Sequence, residues 1–287
     1  MITAHSSILA VIMARAGSVG LPNKSLRPLL GRSVLTYTLN HVGESKLITR
    51  SVVSSDSPEI LALASSEGFE VLNRPSELAT ATSATDPVLR HAVRTLYPAA
   101  FGRNKTTEDT ENTEGRTTTK PAPSYSVPSV SSVVHSVLPF AVVMLYGNIP
   151  LRANNMIDRA IQMLIDTNAD SVQTIAPVGK FHPYWMFDYS SDGKIKKHIP
   201  NNIFRRQDLP ALYSPTGAVY VMKTKVLMDA ENNPADPHAF LGTDRRALVV
   251  APEDSVDIDT EKDLYVAEAM LRVQAVSTKE LNAPDPQ

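Results

Sequence analysis

Six apolar residues in a row, Ile8 to Met13, give the first strong signal along the chain. An unbroken run of that length predicts a strand covered on both faces, as in parallel sheets. The runs Phe140–Leu145, Gly217–Met222 and Ala247–Ala251, the short segment Ser51–Ser55 and the alternating stretch Ser171–Val178 predict further strands. Between them the period changes to that of a helix. From Asn154 to Asn168, Met156, Ile157, Ala160, Ile161, Leu164 and Ile165 fall on one stripe. Ser33–His41 reads as a helix. Ser57-Pro58 reads as a cap and first turn of a helix running to Gly68, and Thr85-Asp86-Pro87 opens another in the same way, ending near Tyr97. Thr260-Glu-Lys-Asp263 is a capping box for a last helix to about Val276. Strands alternating with helices predict an α/β fold with a doubly wound, mostly parallel sheet.

Two stretches break the rhythm. Residues 103–134 are dominated by Thr, Ser, Pro and charged side chains, which cannot bury enough surface to offset the entropy of ordering. They are expected to form a flexible polar insertion in a single domain spanning residues 1–287. Residues 179–213 hold the only tryptophan, with Phe181, Tyr184, Trp185, Phe187 and Tyr189, then the basic run Lys194–His198 and Arg205-Arg206. Tyr184, Met186 and Asp188 alternating with Trp185, Phe187 and Tyr189 predict an extended hairpin with aromatics on both faces. A partner chain is the simplest cover for the second face, so this extension is expected to make a homodimer.

Composition narrows the function classes. Hydrophobic residues make up 43% of 287 positions, enough for a sizeable core. Lys and Arg number 28 against 30 Asp and Glu, a net charge of −2, which excludes a whole-surface nucleic-acid binder or a polybasic membrane binder. There is no cysteine, hence no disulfide scaffold, thiolate nucleophile or cysteine metal site. No stretch approaches the ~18 apolar residues of a spanning helix, and the polar start has no basic leader. A cytoplasmic protein is the expectation.

Two segments carry chemistry. The loop Arg15-Ala-Gly-Ser-Val-Gly-Leu-Pro-Asn-Lys24 follows the first strand, at the sheet edge where α/β proteins bind ligands. Gly17 and Gly20 let backbone amides approach an anion, and Arg15 and Lys24 bracket the loop with cations suited to a polyphosphate. The loop is neither a Walker sequence nor a dinucleotide fingerprint. Far along the chain, Asp257-Ile-Asp259 puts two carboxylates on one side of an extended segment. Such a pair suits a hard divalent cation, Mg2+ with nucleotide phosphates; alternatively one Asp merely precedes the cap of the last helix.

With these residues in place the chain resembles the acylneuraminate cytidylyltransferases, also called CMP-sialic acid synthetases, and more distantly the Kdo cytidylyltransferases. Ala14-Arg15-Ala16-Gly17-Ser18-Val19-Gly20-Leu21-Pro22-Asn23-Lys24-Ser25 is similar to the family's A-R-x-G-S-x-G-x-P-x-K-N loop. Val52-Val-Ser-Ser-Asp56, Asn73-Arg74-Pro75-Ser-Glu77-Leu78-Ala79, Ile149-Pro150-Leu151-Arg152, Arg206-Gln207-Asp-Leu209-Pro210, Pro215-Thr216-Gly217-Ala218-Val219-Tyr220 and Ser255-Val256-Asp257-Ile258-Asp259-Thr260-Glu261 resemble its later motifs, in family order.

The resemblance implies a nucleotide-diphospho-sugar transferase-like fold and transfer of CMP from CTP to the anomeric hydroxyl of a nonulosonic or other 2-keto sugar acid, releasing pyrophosphate. Arg15, Lys24 and Asp259 would be catalytic. Ala14, Arg15, Gly17, Ser18, Gly20, Lys24, Ser25, Arg74, Ser83 and Thr85 would bind the nucleotide. Tyr146, Asn148, Arg206, Gln207 and Tyr213 would bind the sugar acid, with Asp257 and Asp259 on Mg2+. Three departures stand out: Ser25 and Thr216 replace family asparagines, and Tyr146 replaces the glutamine that contacts sugar. Asn148 lacks the carboxylate of the Kdo-type turn. A phenol for an amide changes pocket shape and hydrogen bonding, which implies a non-standard sugar acid rather than N-acetylneuraminate. Two rivals are a glycosyltransferase using Asp257-x-Asp259 and a nucleotide-binding relative that has lost catalysis.

Overall fold

The computed structural model describes residues 7–17, 20–102 and 137–281. The polar insertion lies outside the described residues, as does Ser18 of the loop. Seven strands build one sheet: β1 (Ile8–Met13), β2 (Arg50–Ser55), β3 (Glu70–Asn73), β4 (Ala141–Tyr146), β5 (Ser171–Pro177), β6 (Tyr213–Lys223) and β7 (Arg245–Val249), in the order β7-β5-β6-β4-β1-β2-β3. β1 pairs in parallel with β2 and β4, β2 with β3, and β5 with β7; β6 runs antiparallel to both its neighbours. This is the expected doubly wound, mostly parallel sheet.

Among the described residues the α-helices are α1 (Val34–Glu44), α2 (Pro58–Ser66), α3 (Thr85–Leu96), α4 (Met156–Thr167), α5 (Thr224–Asp229) and α6 (Glu261–Leu281). Alternation along β1 explains why both faces of the sheet carry helices. Ile8, Ala10 and Ile12 pack with Leu35 and Leu39 of α1, Ile60 of α2 and Met156 and Ile161 of α4. Leu9, Val11 and Met13 point the other way, into Val88, Leu89 and Val93 of α3 and Leu227 of α5. A third cluster sets Leu264 and Ala267 of α6 against Leu21, Leu29, Val34 and Ile258.

Most predicted elements appear within a few residues of their expected bounds. Ser57 caps α2 by accepting from the Ile60 amide at 3.3 Å. Thr85 does not cap α3 as Ser57 caps α2: it is the first helical residue, and Ala84 precedes it with no side-chain cap. β6 starts four residues before the predicted strand. Pro215 and Gly217 mask its first half, and pairing with β5 shifts register between Pro215 and Tyr220 around Gly217 at φ 75°. α6 runs past Val276 to Leu281. The four-residue edge strand β3 and the short α5 have no periodic signal long enough to read.

The aromatic extension is less regular than the expected hairpin. Only Phe187–Tyr189 and Ile195–Lys197 pair. Pro183 instead starts a 3-10 turn through Trp185, closed by the His182 ring accepting from the Tyr184 amide at 3.1 Å. Trp185 turns inward and donates to the Ile203 carbonyl, while Phe187 and Tyr189 are 51% and 75% exposed. Among the described residues no helix is long and apolar enough to cross a membrane.

Candidate active site

The carboxyl ends of β1, β2 and β4 lie side by side, and the loop after β1 is tied across them. The Ala14 amide donates to the Ser54 carbonyl at 3.2 Å and the Ala16 amide to Asp56 Oδ1 at 3.0 Å. Arg15 Nη1 reaches the Thr80 carbonyl at 2.9 Å. Arg74 lies buried beneath, donating to Ser54 Oγ at 3.2 Å and to the Ser54 carbonyl at 2.6 Å. Burial pulls its guanidinium down to about 10, with the Asp56 charge opposing.

Two segments more than two hundred residues apart meet at this edge. Lys24 Nζ is 2.6 Å from Asp259 Oδ1. A Cβ on Gly20 would lie 2.5 Å from the Asp259 carbonyl oxygen, so glycine is what lets the backbones touch. The ion pair does not hold them together: Asp259 is 65% exposed at its side chain, and such pairs contribute at most about 1 kcal/mol. Leu21 and Ile258, buried in the third cluster, contribute roughly 1.5–3 kcal/mol each by the usual burial scale. Packing sets the convergence, and Lys24 can exchange Asp259 for a phosphate at little cost.

The turn after β4 supplies the third side. The Gly147 amide donates to the Met13 carbonyl at 2.9 Å, which fastens the turn to β1. The Ile258 amide donates to the Asn148 carbonyl at 3.0 Å, and Asn148 Nδ2 donates back to the Ile258 carbonyl at 3.0 Å and to the Asp257 carboxylate. The sequence assigned Asn148 to the sugar acid; in the structure its amide is engaged by the aspartate segment, a contact no local pattern announces. The Tyr146 ring packs over Gly217, and burial pushes its phenol up to about 12, against a hydrogen bond with Thr85 that lowers it.

Together these elements enclose a cavity of about 250 Å³. Ala14, Arg15, Lys24, Ser25, Arg74, Ser83, Thr85, Tyr146, Asn148 and Asp257 all line it. Gly17 has open space around it. Arg206, Gln207 and Tyr213 are not brought to this cavity: Arg206 and Gln207 lie on an exposed 3-10 turn of the extension, and Tyr213 is exposed at the start of β6. Sequence reasoning missed Thr80, which accepts from Arg15, and Asp56, which fixes the loop amide; Asp56 was legible only as the end of a strand motif. A larger cavity, about 340 Å³, lies between α1 and α4 and holds none of the predicted site residues.

Asp257 and Asp259 suit a divalent cation. Burial first, and then the neighbouring Asp259 charge, raise the Asp257 carboxyl to about 6, with Lys24 opposing. A carboxylate facing a neighbouring negative charge gains from a cation placed beside it. Among the described residues no group of three His, Asp or Glu side chains is arranged to hold a metal ion by itself. Phosphate and water oxygens would have to complete the shell, the habit of Mg2+.

A glycine loop at the carboxyl edge of a mostly parallel sheet, with two distant carboxylates set against its lysine, has the makings of a nucleotidyltransferase site. The comparisons narrow that class. The cytidylyltransferase family model matches residues 9–94. Over 279 residues the chain is 24% identical to the post-translational flagellin modification protein B of Campylobacter coli, covering 96% of this chain and 99% of that protein. It is also 24% identical over 277 residues to the CMP-N,N'-diacetyllegionaminic acid synthase of Campylobacter jejuni, at 96% and 99% coverage. A solved CMP:2-keto-3-deoxy-manno-octonic acid synthetase complexed with CTP superposes with a TM-score of 0.62 at 15% identity, over 94% of this chain and 100% of that one, a likeness of fold. These findings bear out the resemblance read from the motifs. The chain thus carries a cytidylyltransferase match over residues 9–94 and is similar along nearly its whole length to a CMP-sugar-acid synthase.

Proposed function

We propose that this protein transfers CMP from CTP to the anomeric hydroxyl of a nonulosonic acid. The observation that carries the reading is the meeting of Lys24 and Gly20 with Asp259 at the rim of a cavity lined by Arg15, Arg74, Thr85 and Asp257. The hydroxyl oxygen forms a bond to the α-phosphorus as the bond to the bridging oxygen breaks, and pyrophosphate leaves with the electron pair. The chain's task is alignment and charge neutralisation. Arg15 and Lys24 hold the triphosphate and follow the charge onto the departing pyrophosphate. Amides near Gly17 approach the phosphates, and Arg74 and Thr85 flank the nucleoside. Asp259 is one candidate to take the hydroxyl's proton. Asp257 and Asp259 would hold Mg2+, which when bound adds charge neutralisation at the α-phosphate.

The full-length relative named for N,N'-diacetyllegionaminic acid, and Tyr146 in place of the sugar-contacting glutamine, both favour a sugar acid other than N-acetylneuraminate. The exposed aromatics of the extension favour a homodimer.

Pyrophosphate release from CTP, measured across a panel of 2-keto sugar acids, tests the reading. Turnover is expected with a di-N-acetylated nonulosonic acid and weaker turnover with N-acetylneuraminate. Lys24→Ala and Asp259→Asn should each cut it by about two orders of magnitude with the fold intact. No release with any acid, or near-normal rates in both variants, defeats it. Release of a nucleoside mono- or diphosphate from a nucleotide-sugar would signify a glycosyltransferase.

A further inference from the structure

Arg152 ends the Ile149-Pro150-Leu151-Arg152 motif, and the chemistry above makes no use of it. It is 4% exposed. Arginine is seldom buried so deeply without a carboxylate beside it. Here four of its five N–H donors go to neutral oxygens. Nε donates to the Ala218 carbonyl at 2.9 Å. Nη1 donates to the Ile149 carbonyl at 2.5 Å and to Thr38 Oγ1 at 3.1 Å, and Nη2 donates to the Tyr146 carbonyl at 3.2 Å. The Thr38 hydroxyl donates in turn to the Ile149 carbonyl at 3.1 Å. A planar fork is required to reach both ends of the turn and β6 at once; the single ammonium of lysine cannot do so.

Between the two turn carbonyls that Arg152 grips sits Asn148. That residue exchanges main-chain and side-chain hydrogen bonds with Ile258 and donates to the Asp257 carboxylate. The contacts therefore run without a break from the buried guanidinium, through the Tyr146–Ile149 turn, to the aspartate.

We infer that Arg152 is a positioning residue that sets the Asp257 carboxylate for its divalent cation by fixing the Tyr146–Ile149 turn. The inference rests on the proposed cation role of Asp257. A residue serving stability alone would lower the melting temperature of its variants and leave cation affinity unchanged. Groups behind a metal ligand shift affinity by about 10–100-fold when removed.

The test is a titration of Mn2+, with free ion followed by electron paramagnetic resonance, on the full chain with CTP present. Wild type is compared with Arg152→Met, Arg152→Lys and Thr38→Val. Folded Arg152→Met is expected to bind Mn2+ at least about tenfold more weakly, with Arg152→Lys rescuing only part of the loss. In turnover, the Mn2+ concentration for half-maximal rate should rise while KM for CTP at saturating Mn2+ stays within about twofold of wild type. Thr38→Val keeps the guanidinium and removes one of its partners. It should weaken Mn2+ binding by a few-fold, and it decides the matter if Arg152→Met does not fold. Wild-type Mn2+ affinity in the folded variants overturns the positioning role and leaves Asp257 as a ligand. A wild-type protein that binds no Mn2+ beside CTP overturns both.

Discussion

Gly17 and Gly20 look alike in the sequence and do different work. Around Gly17 an added methyl would meet nothing within 4 Å. At Gly20 it would meet the Asp259 carbonyl at 2.5 Å, and main chain cannot be pushed aside cheaply. Gly20→Ala is therefore expected to cost about 1–3 kcal/mol in urea unfolding and to depress turnover by moving Asp259. Gly17→Ala should leave stability unchanged and act only through nucleotide affinity. Equal stability of the two variants would contradict the geometry. The loop was legible from its glycines and bracketing cations after a strand, the two aspartates from their spacing, and Arg74 only through the family resemblance. The contacts of Asn148, assigned to the sugar acid, and of Arg152, read only as the end of a motif, were not legible: they lie 109 residues on and in the closure of a turn, and neither leaves a local signature.

At the scale of elements, the start of α6 serves two ends. Asp263 Oδ2 accepts from the Thr260 amide at 2.8 Å and the Thr260 hydroxyl at 2.8 Å, completing the capping box read from the sequence. The same oxygen accepts from the Asp259 amide at 3.2 Å, so the helix cap also fixes the backbone of a site residue. Asp263→Ala should cost about 1 kcal/mol by thermal or urea unfolding. It should also lower turnover by more than the lost stability explains, whereas Asp263→Asn should keep part of both. Unchanged kinetics in a destabilised Asp263→Ala would confine the residue to capping. Long strands and helices with a clear period were readable in advance. β3, α5 and the first half of β6 were not, because edge pairing and a glycine bulge are decided by neighbours distant in sequence.

At the scale of the molecule, the sheet is covered by helices on both faces, but the extension is not covered. Phe181, Tyr189 and Phe204 are 68%, 75% and 83% exposed, alongside Phe187 and Ile195. Apolar groups gathered this way mark association surfaces. Sedimentation should show a dimer, and Phe187→Asp with Tyr189→Asp should shift it toward monomer without loss of helical circular dichroism. A wild-type monomer at tens of micromolar would refute the homodimer.

The lysine and aspartate that meet at the site are 235 positions apart in the order of translation. A growing polypeptide on the ribosome carries its glycine loop early, and the carboxylate that Lys24 meets follows only after the last strand. A message cut short just before codon 257 would thus give a product that keeps all seven strands of the sheet and is expected to be inert toward a nucleoside triphosphate.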